Sequence, residues 1–581
     1  MSERLRLVVF TSGPLSAVNR VFYERLARDP RLELAGIVVD GYARPRKPLL
    51  ARIRRGVQQD GWAWLWFKAV VTAEVLGRRA ALGLFERLHP AAGEVSYESL
   101  SRDTGIPVHH VPDIHAEEAL ALVRGLRPQL GVIAGTRILH ETVIGIPELG
   151  TLNIHKRKVP DYRGGGPVGY WEVLAGESSI GVTIHYATTQ VDEGDVMAEA
   201  SIPIEECDTL ASLRIKADLV GAQRYHEAIL KVAGGERQGR PQDPRLGRTY
   251  RAPSEYRVWR LERKLRQGAM RRMPALGARP GALTRARLLL QYTLLSPLLL
   301  SIRGRLARQR RLPVCVLFYH LVSNRPLNHM CLPLEEFVRQ VQFLRRYYRL
   351  VSLDEAAGRL QEPGGEIAVA ITFDDGYRDN TWAIEFLRYF GLPAAFFVSI
   401  GHVRDGSPFE HDLVRGFTEA SPMQLADLKR LAADGFVVGS HAIHHENLGA
   451  LEPAAAERVL AESRRLIGEA TGSPPDHFSF PKGQRGTNIT AGAFAAATRH
   501  YRHVYSAYGG YNFPGQAVRH MVRLGNPADV LDLAATLDGY TGLRQCLAGN
   551  AWGLKSAALA PYVAAAGDAS PLGQVSVQGE P

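Results

Sequence analysis

Short apolar runs, each followed by a helix-like stretch, recur along this chain in two separate blocks. A run of that kind is buried on both faces, which requires a sheet covered by helices. In the first block the runs are Leu5–Phe10, Leu34–Val39 and Gly131–Ala134, with helical patterns over Val18–Ala27 and Ala116–Leu126. In the second, V-C-V-L-F-Y-H, I-A-V-A-I-T-F, P-A-A-F-F-V-S-I, F-V-V-G-S-H and H-F-S-F-P follow in turn from Pro313. The fold class is therefore α/β throughout. An open Rossmann-like sheet is expected first, then a distorted β/α barrel with its chemistry on the loops after the strands. At 581 residues the chain is also too long for one core.

These patterns divide the chain into a first domain over 1–240, a connector over 241–312, a second domain over 313–550 and a disordered tail over 551–581. Residues 44–90 interrupt the first domain with arginines and W-A-W-L-W-F at 62–67. They read as a helical insertion packed on that domain, or as an interfacial helix on anionic lipid. Seventeen Lys and Arg against two acids lie between Arg248 and Arg311, so the connector carries essentially all of the net charge of +12. Its run L-L-L-Q-Y-T-L-L-S-P-L-L-L at 288–300 is broken by Pro297 and is shorter than the roughly 20 residues of a membrane span. It reads either as a membrane-surface segment or as interdomain helices. The N-terminus reads as a first strand, not a secretory signal. Cys207, Cys315, Cys331 and Cys546 form no C-x-x-C pair, so neither a disulfide framework nor a zinc knuckle is expected, and a reducing compartment suits them.

Three fragments in the second block carry chemistry. T-F-D-D-G at 372–376 places two carboxylates at the end of an apolar run. G-S-H-A-I-H-H-E-N-L at 439–448 offers His441 and His445 four apart, with His444 as a rival, and F-S-F-P-K-G follows at 478–483. Imidazoles with one carboxylate favour zinc or a similar divalent transition ion. This block resembles the polysaccharide deacetylase family of carbohydrate esterases, over about residues 313–525. The resemblance implies that Asp375, His441 and His445 hold the metal, that Asp374 is the general base, and that Pro481 lies on the substrate. Two departures stand out. The third motif elsewhere carries an arginine before its proline where this chain reads F-S-F-P-K-G, and R-H-M-V-R-L-G at 519–525 stands where a Leu-x-His is usual. His520 is the tentative general acid there, with a surface histidine as the alternative. His320, in F-Y-H-L-V, resembles a recurrent Tyr-His and is a candidate to face the site.

In the first block, L-G-T-L-N-I-H at 149–155 puts Asn153 and His155 on one side of a strand, and Asp192 follows in V-D-E-G-D. An amide donor, an imidazole and a carboxylate can polarise a carbonyl and move a proton from an attacking amine. With I-G-V-T-I-H and D-T-L-A-S-L, the region resembles the folate-dependent formyltransferases over roughly residues 1–235. By that resemblance Asn153, His155 and Asp192 are catalytic and 10-formyltetrahydrofolate is the donor. Arg163, Gly164 and Gly165 of P-D-Y-R-G-G-G-P match the loop near the acceptor amine. A Pro usually follows the histidine; here K-R-K does, and Lys156 and Arg157 are expected to hold an anionic acceptor such as a diphosphate sugar.

Together these readings describe a bifunctional enzyme of amino-sugar or glycan metabolism. One half hydrolyses an N-acyl group with a metal and the other transfers a formyl group, in the cytoplasm or at the inner membrane face. The expected partner is a carbohydrate or sugar-nucleotide, with lipid contact through the connector; nucleic acid is not expected. The alternatives are that one half is a degenerate binding module, or that the formyltransferase half acts on an aminoacyl-tRNA.

Overall fold

The computed structural model describes residues 4–539, except 44–47, 90–94, 244, 274–282, 284–285, 287–289, 291–292, 363, 484–485, 508, 516–518 and 526. The tail expected at 551–581 lies outside the described residues, as does Cys546. The chain forms two compact units. The first comprises the described residues up to 77 and from 95 to 269; the second comprises those from 78 to 89 and from 270 onward.

The first unit is built on strands β1 (Leu5–Ser12), β2 (Leu32–Asp40), β3 (Val108–Val111), β4 (Leu130–Ile133), β5 (Thr151–His155), β7 (Ser179–Tyr186) and β8 (Val196–Pro203), in the order β3-β2-β1-β4-β5-β7-β8. The strands from β3 through β5 are parallel, whereas β7 runs antiparallel to β5 and β8 antiparallel to β7. This is the open Rossmann-like sheet expected from the runs. Val8, Phe10, Val38 and Ile133 pack with Leu120 and Val123 of the helix Glu117–Gly125 in one core cluster. A separate two-stranded sheet joins β6 (Tyr162–Gly164) to β9 (Arg248–Tyr250). The start of the connector thus folds back onto the glycine loop, which hydrophobic periodicity gave no means of seeing.

The interruption near residue 50 forms the helices Leu49–Asp60 and Ala63–Leu88. Phe67 is buried against Tyr256 and Trp259 of the connector helix Glu255–Arg272, with ring centroids 5.8 and 5.3 Å away. Arg257 Nε donates to Asp60 Oδ1 at 3.2 Å, and Lys68 pairs with Glu255. Insertion and connector therefore pack on each other. Pro297 begins the helix Ser296–Arg308 instead of breaking one, since its missing N–H costs nothing in a first turn. Among the described residues no helix is long and apolar enough to cross a membrane.

The second unit is a parallel barrel of seven strands: β10 (Val314–Tyr319), β12 (Ala368–Phe373), β13 (Ala395–Val398), β14 (Val437–Ser440), β15 (His477–Ser479), β16 (His503–Ser506) and β17 (His520–Leu524). It closes where β10 pairs with both β12 and β17. The short β11 (Arg349–Leu350) lies along the start of β12, whose far end pairs with β13. All six residues of A-V-A-I-T-F in β12 are buried, as a strand walled on both faces requires. The first strands were legible as apolar runs. The last, β17, reads H-M-V-R-L and hides an arginine inside the barrel.

Candidate active sites

The carboxyl ends of β12, β14 and β15 meet at one place in the second unit. Asp374 is held at the end of β12 by its N–H, which donates to Tyr319 O at 2.9 Å. The next residue, Asp375, takes φ 70°, and Ala442, His445 and Lys482 are also left-handed, at 66°, 61° and 61°. Four non-glycine residues in this costly region, all in loops at one end of the barrel, mark a built site.

Asp375, His441 and His445 converge so that one ligand atom from each lies within 4.8 Å of the others. Asp375 Oδ1 is 3.5 Å from Nε2 of both His441 and His445, and is buried without a hydrogen-bond partner. His441 Nδ1–H donates to Ser479 O at 2.7 Å, which leaves Nε2 bare toward the carboxylate. Burial lowers His441 to about 4 and His445 well below its ordinary value, so both rings stay neutral. Burial, reinforced by the charges of Asp374 and Asp412, raises Asp375 well above the usual carboxylate range. An orphaned carboxylate oxygen facing two neutral imidazoles fits a borderline divalent cation. His444 turns away, its Nε2 2.9 Å from Asp405 Oδ2.

Asp374 does a different job. Arg523, only 1 % exposed, donates from Nη1 and Nη2 to its two oxygens at 2.7 Å each, and to Thr372 Oγ1 and Ser479 Oγ at 3.1 and 2.7 Å. Burial alone would raise Asp374; Arg523 overcomes it and holds the carboxyl at about 2. Arg523 went unrecognised in the sequence because R-H-M-V-R-L-G reads as a histidine motif that has drifted. Strand alternation supplies the missing signal. His520 and Arg523 are three apart on β17 and so point to opposite faces.

His520, expected as the general acid, lies on β17 on the face opposite Arg523. Its Nε2 meets Ser506 Oγ at 2.9 Å, its ring stands edge-on to Phe494 at 5.4 Å, and burial drives it down to about 3. It is not a surface histidine. Two other imidazoles stand beside the cluster of Asp375, His441 and His445. His411 Nε2 is 3.6 Å from Asp375 Oδ2 and 2.8 Å from the Tyr377 hydroxyl. His320 has the charged Asp374 and Arg523 and the ring of His441 as neighbours, and burial lowers it to about 4. Pro481 is buried just after β15, where its carbonyl accepts from Gly483 N.

In the first unit, β5 carries Asn153 and His155 side by side. Asp192, at φ 57°, accepts from Gly164 N at 2.9 Å and lies 3.3 Å from His155 Nδ1. His155 Nε2 is 2.9 Å from Tyr162 O, so both ring nitrogens face acceptors. An imidazolium satisfies both contacts; a neutral ring satisfies one. Burial lowers His155 despite Asp192, and Asp192 itself is held below its usual range, with His185 and His155 outweighing its own burial. His185, opposite Asn153 in the β5–β7 register, lies 3.3 Å from Asn153 Nδ2 and 3.5 Å from Asp192 Oδ1. It sits in the quoted I-G-V-T-I-H, and strand alternation would have found it.

Arg163 is buried, with Glu193 at 3.5 Å and Asp243 O at 3.3 Å. Gly164 brings the backbone so close to Tyr250 that a Cβ would meet its carbonyl at 2.4 Å, and Gly165 N donates to Tyr250 O. The K-R-K stretch does not form an open cationic cradle. Lys156 pairs with Asp218 and Lys158 with Glu177; Arg157 is 2 % exposed and donates to Pro167 O at 2.9 Å.

Residues 361–500 match the family model of polysaccharide deacetylase, and residues 100–229 match that of formyl transferase. The chain joins a deacetylase segment to a formyltransferase segment. The formyltransferase half is 36 % identical over 157 residues to a methionyl-tRNA formyltransferase of Macrococcus caseolyticus, covering 27 % of this chain and 49 % of that protein. It is 32 % identical over 140 residues to the Bacillus subtilis methionyl-tRNA formyltransferase, covering 24 % and 44 %. The chain thus spans about half the length of these curated relatives. Among solved structures, the deacetylase half is similar to IcaB from Ammonifex degensii, at 25 % identity and TM-score 0.32, over 39 % of this chain and 97 % of that one. The formyltransferase half is similar to glycinamide ribonucleotide transformylase 1 from Symbiobacterium toebii, at 20 % identity and TM-score 0.28, over 42 % and 96 %.

Proposed function

We propose that the chain is a bifunctional enzyme acting on the nitrogen of an amino sugar. The second unit hydrolyses an N-acyl group from a carbohydrate, and the first transfers a formyl group from 10-formyltetrahydrofolate to a sugar amine. What supports the reading is that both donor sets are complete and each is assembled at strand ends within one unit.

In the second unit a divalent ion, zinc by the donor set, would be held by Asp375, His441 and His445 and would supply Lewis-acid polarisation and an acidified water. Asp374, kept ionised by Arg523, takes the proton of the attacking water. His320 or His411 returns a proton to the leaving nitrogen. In the first unit the amide N–H of Asn153 polarises the formyl carbonyl. His155 accepts the proton of the attacking amine, and the imidazolium then finds Asp192 and Tyr162 O as acceptors. Hydrolysis of the very formyl group just transferred would be a futile cycle; if formyl is the group removed, the two reactions act on different nitrogens or on either side of an intervening step.

The test is a paired assay on wild type, Asp375→Ala and His155→Ala. It follows metal-dependent formate or acetate release from N-acyl amino-sugar nucleotides, and folate-dependent formylation of the free amines. Separate loss of one activity in each variant is expected; loss of neither in Asp375→Ala removes the hydrolase reading. A second reading, formylation of an aminoacyl-tRNA, is motivated by the names of the curated relatives. Formylation of methionyl-tRNA in preference to sugar amines in the same assay would replace the first. Exposed Leu49, Leu50 and Trp62 beside Arg52, Arg54 and Arg55 support contact with an anionic lipid surface. Equal sedimentation with anionic and neutral vesicles would argue against it.

A further inference from the structure

We infer that the first unit carries a diphosphate-binding pocket beside the formyl-transfer site, built by the insertion and the connector instead of by K-R-K. The inference rests on the formyl-transfer reading for the sugar that the diphosphate carries, but not for the pocket itself.

A cavity of about 820 Å³ is lined by Gln59 and Asp60 of the insertion, by Tyr170, Trp171 and Leu174 of the helix Tyr170–Ala175, and by the connector helix. That volume lies in the range of small-ligand sites. Arg257, Arg260, Leu261 and Lys264 recur at i, i+3, i+4 and i+7, so one face of the connector helix looks into the cavity. Tyr256 and Trp259 occupy the adjoining face, where they meet Phe67. Glu262 fixes the helix by accepting from Leu210 N at 2.8 Å. The cationic face is thus held in place by its neighbours before any ligand arrives.

The chemistry of the lining selects an anion with an apolar body. Three cations, all exposed, face a single acid, Asp60, which leaves a surplus suited to two phosphate charges. Asp60 is itself informative. Its side chain is 3 % exposed, Oδ1 accepts from Arg257, and Oδ2 is buried with no hydrogen-bond partner. Such an acceptor calls for a hydroxyl or ring N–H on the ligand. Tyr170, Trp171, Tyr256 and Leu261 supply apolar and aromatic walls.

The position ties the pocket to the reaction. Trp171 Nε1 donates to Gly165 O at 3.2 Å, and its ring lies 4.9 Å from Tyr250, which hydrogen-bonds Gly165 in turn. The neighbouring Gly164 N holds Asp192. The wall of the pocket is therefore also the support of the glycine loop. A diphosphate seated on Arg257, Arg260 and Lys264 would present its sugar toward that loop. Such a diphosphate ester is supplied either by a nucleotide-linked or by a prenyl-linked sugar.

The test is calorimetric titration of the full chain with UDP, with farnesyl diphosphate and with inorganic diphosphate. The variants are Arg260→Ala/Lys264→Ala, Asp60→Asn, and Arg271→Ala as a control on the same helix outside the pocket, each checked for an unchanged melting temperature. At least tenfold weaker binding is expected in the double variant, with the control unaffected. Binding of UDP alone assigns a nucleotide carrier and of farnesyl diphosphate alone a lipid carrier; binding of neither, or binding indifferent to Arg260 and Lys264, overturns the proposal. If formylation proceeds with an unchanged acceptor KM in the double variant, the pocket fails and the reaction stands. If diphosphate binding depends on Arg260 and Lys264 while no amine is formylated, the pocket stands and the reaction fails.

Discussion

Removing the Arg523 guanidinium should be a severe change to the second unit, and its size follows from the geometry. Arg523 makes two bonds of 2.7 Å to Asp374, both partners being buried. The carboxyl sits at about 2 against an ordinary 3.8. That depression is worth about 2–3 kcal/mol in favour of the ionised form, after burial has been overcome. The sign is that of a lowered carboxyl: the contribution is present above the unfolded value and is lost as pH falls through the folded one. Arg523→Met forfeits it, leaves the Asp374 charge buried and unpaired, and removes the guanidinium from over Phe318 and Phe397, so the loss should reach about 3–5 kcal/mol at pH 7. Asp374→Asn alone also breaks the pair, whereas the double variant removes both charges and should recover part of the loss. Urea denaturation of the four proteins gives the coupling directly. Hydrolysis should vanish in every variant, because the base is either missing or misplaced. A loss under about 1 kcal/mol in Arg523→Met, or a double variant no more stable than Arg523→Met, would refute the reasoning.

Metal content after dialysis should fall from near one equivalent to background in His441→Ala and Asp375→Asn, and stay near one in His444→Ala, whose ring pairs with Asp405. His520→Gln should leave hydrolysis within about threefold, while His320→Ala or His411→Ala should lower kcat by roughly 10²–10⁴; equal losses in all three would restore His520 as a candidate acid. Because burial lowers His155 below 6.5, the acidic limb of kcat/KM for formyl transfer should fall below pH 6.5. A limb centred above pH 7 would place the base elsewhere.

Sequence alone determined the two sheets and pointed to the residues of both candidate donor sets, for a physical reason. Buried parallel strands must be written as apolar runs, and the groups that do chemistry are placed just after them, where the backbone leaves the sheet. Asn153 with His155, and Asp374 with Asp375, could be read in that way. What depended on distant partners could not. Whether Lys156 was free to hold a phosphate was decided by Asp218, 62 residues on. The residue that keeps Asp374 ionised lies 149 residues away on a strand disguised as a histidine motif. The basic connector looked like a feature of its own until β9 and the helix Glu255–Arg272 folded it onto the glycine loop and the insertion. Periodicity reports which face of an element is buried, but it carries no information about which other element covers that face, and only the tertiary structure supplies the partner.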